Sequence, residues 1–236
     1  PDDFGVYVTA DNVSDHLAGS LTAQPMDAAE NSAQVPILMY HHIVEEDDGS
    51  GSVTVDQFRA QMDALLDAGY TTVSLQELAD YVNHGGDLPE KPVAITFDDG
   101  YASNYELAYP ILRERNMKAT IFVIGVSVGK DTYKDTDHAM TPHFSYEQAA
   151  EMVSSGLISV QSHTYDMHQW APYESGDQVR ENILPLAGES ETDYVAALTE
   201  DFTTSRDLLE VATGEPVTAL AFPTGLYTTL TSAVLR

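Results

Sequence analysis

The chain has no cysteine among its 236 residues. A disulfide framework, a thiolate metal site and a catalytic thiol are therefore excluded. Positive charge is scarce, with 10 Lys+Arg against 38 Asp+Glu and a formal net charge of −28. Such a surface repels nucleic acid and anionic lipid headgroups, so neither is expected as a partner; a polycation would be tolerated. No apolar run approaches the roughly 18 residues that cross a membrane as a helix. No secretory leader is visible, and the opening Pro1-Asp2-Asp3 reads as the start of a mature or trimmed chain. A repeat of fixed period is also missing, which excludes solenoids and propellers.

What is present is an ordinary hydrophobic fraction of 43%, in a chain long enough for one large domain or two small ones. Residues 1–34 are rich in Asp, Ala, Ser and Asn without sustained period, and read as an N-terminal extension or linker. From Val35 onward, short apolar runs alternate with amphipathic stretches. The runs Pro36–Tyr40, Thr71–Leu75, Val93–Phe97, Ala119–Ile124, Leu157–Gln161 and Thr218–Phe222 predict strands. Helices are predicted over 55–68, 75–83, 104–115, 146–155 and about 193–212, with another beginning near Thr229. Four pairs have capping-box spacing: Thr54 with Gln57, Ser74 with Glu77, Ser103 with Glu106, and Ser145 with Gln148. Pro110 should bend the third helix. Met117 and Met152 read as core. This alternation implies an α/β fold around a parallel sheet, closed or open.

Parallel sheets collect their chemistry past the C-terminal strand ends. Four such ends are informative here. They carry His41-His42, then Asp98-Asp99-Gly100, then His163 through His168, and finally Pro223-Thr224-Gly225. Two imidazoles and a carboxylate make an open metal site, so His163 and His168 with one of Asp98 and Asp99 are candidate ligands. The second carboxylate is then free to act as a general base. Gly100 lets the backbone turn tightly beside them. Asp166 either orients a ligand imidazole or is a solvated loop acid. Trp170 and Tyr101 either stack on a sugar or pack. No role is expected for His16, His84, His138 or His143, and His42 should point away from the neighbouring His41.

The string Thr96-Phe97-Asp98-Asp99-Gly100-Tyr101 resembles the first motif of the NodB-like polysaccharide deacetylases. His163-Thr164-Tyr165-Asp166-Met167-His168 is similar to their second motif, and Phe222-Pro223-Thr224-Gly225 to a divergent third. In the third, Ala221 precedes Phe222 where an Arg is common, and Thr224 stands where Tyr is usual. Tyr40-His41 resembles the Tyr-His of the permuted subgroup that includes poly-β-1,6-N-acetylglucosamine deacetylases. The resemblance, which runs from about Val35 to the end, implies a distorted, incomplete (β/α) barrel over 35–236. It implies Asp98 as catalytic base, Asp99, His163 and His168 as metal ligands, His41 as general acid and the Thr224 N–H as oxyanion donor. The implied cofactor is one divalent ion, zinc by default, with cobalt, nickel or manganese also suited. The implied partner is an acetylated glycan polymer, met outside the cell or at its surface by a monomer. A small-molecule amide hydrolase of the same superfamily and a non-catalytic carbohydrate-binding module remain open alternatives.

Overall fold

The computed structural model describes residues 35–176 and 178–235. The expected extension over 1–34, and His16 with it, lie outside them. In chain order the elements are β1 (Ile37–Tyr40), β2 (Ile43–Val44), β3 (Val53–Thr54), α1 (Val55–Asp67), β4 (Thr71–Thr72), α2 (Leu75–His84) and β5 (Pro92–Phe97). There follow a π-helical turn (Asn104–Ala108), α3 (Tyr109–Glu114), β6 (Ala119–Val123), α4 (Tyr146–Ser154), β7 (Ile158–Ser162), α5 (Glu191–Thr213) and α6 (Thr229–Val234).

The sheet runs β1-β5-β6-β7, all parallel, and the short β4 pairs with the start of β5. Among the described residues it does not close, so the fold is α/β with a distorted, incomplete barrel. β5 and β6 are buried on both faces. That is why they read as continuous apolar runs rather than as alternating ones. One core cluster joins them to α1, α3 and α4 through Phe58, Met62, Ile111, Leu112, Met117, Phe144 and Met152. Val73, Leu75, Leu78, Ala94 and Phe122 cover another patch of the sheet. Tyr40, Phe58 and Phe97 interlock with ring centroids 5.0–5.7 Å apart. This aromatic group anchors β1 and β5 directly below His41 and Asp98, and each such pair contributes about 0.5–1.5 kcal/mol beyond its burial.

Three of the four capping boxes form as expected, at Thr54, Ser74 and Ser145. The fourth does not. Ser103 makes no cap bond, and its Oγ instead lies 2.8 Å from His42 Nδ1 and accepts the Ile43 N–H at 3.1 Å. The predicted third helix splits at Pro110 into the π-helical turn and α3, because proline is seated in the first turn of a helix rather than its interior. The predicted strand 218–222 is reduced to one parallel bridge between Leu220 and Ser162. The Gln161 side chain accepts the N–H groups of Thr218 and Ala219 at 2.8 and 2.9 Å, replacing strand partners there.

Candidate active site

Asp98 directly follows the last residue of β5, and its N–H still bonds to Tyr40 at 2.9 Å and so extends the β1–β5 ladder. The chain then turns through two left-handed residues, Asp99 (φ 72°) and Gly100 (φ 82°). A carboxylate residue in that region is uncommon and costs of order 1 kcal/mol or more, so the surroundings must hold it. They do: the Asp99 and Gly100 carbonyls accept N–H groups from Ile124 and Phe144 at 3.3 and 3.2 Å. β7 delivers His163 the same way, its N–H bonded to Val123 at 2.9 Å. Thr164 (φ 73°) and Thr224 (φ 58°) are also left-handed, so, among the described residues, three of the five non-glycine positions with positive φ lie on these strand-end loops.

The turn brings three ligand-type side chains together. Asp99 Oδ1 lies 3.6 Å from His163 Nε2 and 3.9 Å from His168 Nε2, and the three donor atoms fall within 4.8 Å of one another. The imidazoles stand nearly perpendicular, with centroids 5.3 Å apart. Each ring is held from behind by a backbone carbonyl, His163 Nδ1 donating to Ala221 at 2.9 Å and His168 Nδ1 to Glu181 at 3.2 Å. Those bonds select the tautomer whose Nε2 lone pair is aimed inward. Asp99 Oδ1 is buried and has no hydrogen-bond partner. Orphaning a buried carboxylate oxygen is costly unless a cation answers it. Tetrahedral ligands at about 2.1 Å from one ion stand ~3.4 Å apart, so this donor set fits a single divalent cation.

Burial lowers the pKa of His163 and of His168, the latter pushed down further by the neighbouring His163, which favours the free base of both. Asp98 is pushed up to about 7, chiefly by burial. His41 pulls it down and Asp99 pushes it further up. His41 continues β1 beside Asp98; the residue is exposed, and its carbonyl is held by Asn104 Nδ2 at 2.8 Å. Thr224 lies in the turn Pro223–Gly225, tethered to the site because Ala221, three residues before it, binds His163. Five of the six candidates, His41, Asp98, Asp99, His163 and His168, thus act on one another at one end of the sheet, and Thr224 follows three residues after the Ala221 carbonyl that holds His163.

Some of the remaining expectations hold and others change. His42 does point away from His41, toward Ser103 and the Tyr101 ring at 5.2 Å. His143, expected to be idle, closes the site's edge against Tyr101 at 4.9 Å, and Asp99's charge acts on it. Tyr101 is packed between these two histidines; burial and the nearby Asp99 carboxylate push its pKa up. Asp166 does not orient an imidazole. It pairs with Lys134 at 2.8 Å, while backbone carbonyls hold both rings.

Asp201 is the residue that motif reading missed. From α5 its two carboxylate oxygens accept the N–H groups of Tyr165 and Asp166 at 2.8 and 2.7 Å, inside the loop that carries both histidines. It is only 8% exposed, and burial pushes its pKa up to about 6 against the pull of those two bonds. The available signal was an acid on the apolar stripe Tyr194, Leu198, Phe202, Leu209 of one helix.

Residues 85–236 match the sequence family described as Polysaccharide deacetylase. The YxkH protein of Bacillus subtilis (strain 168) is 42% identical over 137 residues, covering 58% of this chain and 44% of its own length. The poly-beta-1,6-N-acetyl-D-glucosamine N-deacetylase of Staphylococcus aureus (strain MRSA252) is 34% identical over 117 residues, 50% of this chain and 38% of that protein. The chain therefore spans less than half the length of these curated relatives. Among solved structures, IcaB from Ammonifex degensii is similar with a TM-score of 0.69 and 30% identity, covering 86% of this chain and 79% of the other. The de-N-acetylase from Aggregatibacter actinomycetemcomitans gives a TM-score of 0.72 at 26% identity, covering 85% and 83%.

Proposed function

The chain belongs to the polysaccharide deacetylase family, and on that basis we propose that it is a metal-dependent hydrolase that removes N-acetyl groups from an N-acetylglucosamine polymer. The polymer is poly-N-acetylglucosamine or peptidoglycan. The relatives' names favour the former, as does the Tyr40-His41 arrangement beside the Asp pair. Such polymers lie outside the cell, so the enzyme acts there or at the cell surface. Residues 35–236 form the catalytic domain and 1–34 an extension or linker.

Asp99, His163 and His168 would hold the cation, zinc by donor type, with cobalt, nickel or manganese compatible. When bound it supplies Lewis-acid polarisation of the acyl carbonyl and eases deprotonation of water. Asp98 takes the proton of the attacking water; its raised pKa makes it a stronger base than an ordinary carboxylate. The Thr224 N–H, presented by a left-handed turn, donates to the carbonyl oxygen as negative charge develops there. One such donor contributes about 3 kcal/mol. His41 passes a proton to the departing amine as the C–N bond breaks, giving acetate and a glucosamine unit.

The observation that carries this reading is the buried, unpartnered Asp99 oxygen facing two inward-aimed imidazole nitrogens, with a second carboxylate adjacent in sequence. Acetate release from β-1,6- and β-1,4-linked N-acetylglucosamine oligomers, before chelation, after it and after metal is restored, tests it. Release should vanish with chelator and return with the ion. A chain replete with metal that releases no acetate from any oligomer would overturn the proposal.

A further inference from the structure

Two residues beyond His168 the chain exposes its single tryptophan, and the reaction above does not use it. Trp170 is 60% exposed, and Tyr173, three residues on, is 36% exposed. The Tyr173 ring lies flat against His138, with centroids 4.2 Å apart and planes 4° from parallel, and meets Tyr133 edge-on at 5.7 Å. The loop that carries these rings is held in place. The Tyr133 hydroxyl accepts the Trp170 backbone N–H at 3.0 Å and donates to Glu174 at 2.5 Å. Lys134 pairs with both Asp166 and Glu174, tying the start of the ledge to its end. The Gln169 side chain and backbone bond to Arg180 on the far side, at 2.8 and 2.9 Å.

An indole left in water on a braced loop forgoes burial worth about 2–3 kcal/mol, while the brace spares a ligand the cost of ordering it. Two residues of chain span at most about 7 Å, so the ledge begins about one sugar ring away from His168. A pyranose chair offers apolar C–H faces and hydroxylated edges. Flat, rigid aromatic faces bordered by carboxylates match that surface.

We propose that Trp170 and the Tyr173–His138 pair form a subsite that stacks on a pyranose ring of the glycan adjacent to the unit losing its acetyl group. This rests on the polysaccharide reading and extends it: chain length, and not only the acetamide, decides which substrates bind well.

Because Trp170 is the sole tryptophan, its fluorescence reports on this subsite directly. The chain carrying Asp98→Asn, which binds without turnover, is titrated with the N-acetylglucosamine monomer and pentamer in both linkages. The pentamer should shift the emission to shorter wavelength and the monomer should not. In the Asp98 background, W170A should cut the kcat/KM advantage of pentamer over monomer about tenfold, as loss of one aromatic stacking contact predicts, and W170F should restore most of it. Acetate release from the pentamer with that advantage intact in W170A overturns the subsite alone, as does pentamer binding that leaves the emission unmoved. No acetate from any oligomer overturns the polysaccharide reading and the subsite with it.

Discussion

Gly100→Ala places a Cβ where the site has no room for one. The added atom would lie 2.7 Å from Val123 Cγ1, 3.1 Å from its Cβ and 3.3 Å from its Cα. Val123 cannot retreat freely. It pairs with Ser162 in the β6–β7 register, and its carbonyl accepts the His163 N–H at 2.9 Å. Moving it therefore moves a metal-ligand candidate. Holding alanine at φ 82° adds about 1–2 kcal/mol, and overpacking a filled site adds ~1–3 kcal/mol. A loss of about 3 kcal/mol is expected, which lowers Tm by roughly 6–12 °C for a domain of this size. The measurement is thermal and urea unfolding of the metal-free chain, completed by a double-mutant cycle. Val123→Ala alone should cost about 2 kcal/mol through its cavity. The pair G100A/V123A should lose about 3 kcal/mol rather than 5, a coupling near 2 kcal/mol, because removing the Val123 methyls relieves the clash. Additive losses, or a silent Gly100→Ala, would refute the claim that this close approach shapes the Asp99 turn.

Asp98→Asn should reduce turnover at least 1,000-fold, on the order of a lost general base, while calorimetric metal affinity stays within a few-fold; His163→Ala should lose both. His41→Ala should slow amide cleavage far more than cleavage of an aryl acetate, whose leaving group needs no proton; equal losses would count against the general-acid role. Asp201→Ala strands two backbone N–H groups behind the histidine loop and should weaken metal binding about 10–100-fold, with no change in the aryl acetate's own leaving-group dependence. For pH, Asp98 in the metal-free chain has its pKa raised from 3.8 to about 7. Its contribution to stability is therefore complete below the unfolded value and lost as pH rises through about 7. Metal-free Asp98→Asn should be more stable than the parent at pH 8 by on the order of 2–4 kcal/mol, the gap narrowing toward pH 5; a pH-independent gap in urea titrations would contradict this.

The strand–helix alternation, three of the capping boxes and the residues at the strand ends were all legible in the amino-acid order. Each depends on neighbours within one turn or one strand, and such spacing is carried by local chemistry. The gathering of His41, Asp98, Asp99, His163 and His168 followed from one rule, that parallel strands present their C-terminal ends on a common rim. What packing alone settled are the long-range choices. His163 takes its orienting carbonyl from 58 residues away, Ser103 abandons its cap for a histidine 61 residues back, and Asp201 reaches across 36 residues to the loop it holds. Gln161 likewise captures the N–H groups that the segment after Thr218 would have given to a full strand. Buried donors and acceptors must be satisfied by whatever partner the tertiary arrangement brings within 3 Å. No periodicity in the chain specifies which partner that will be.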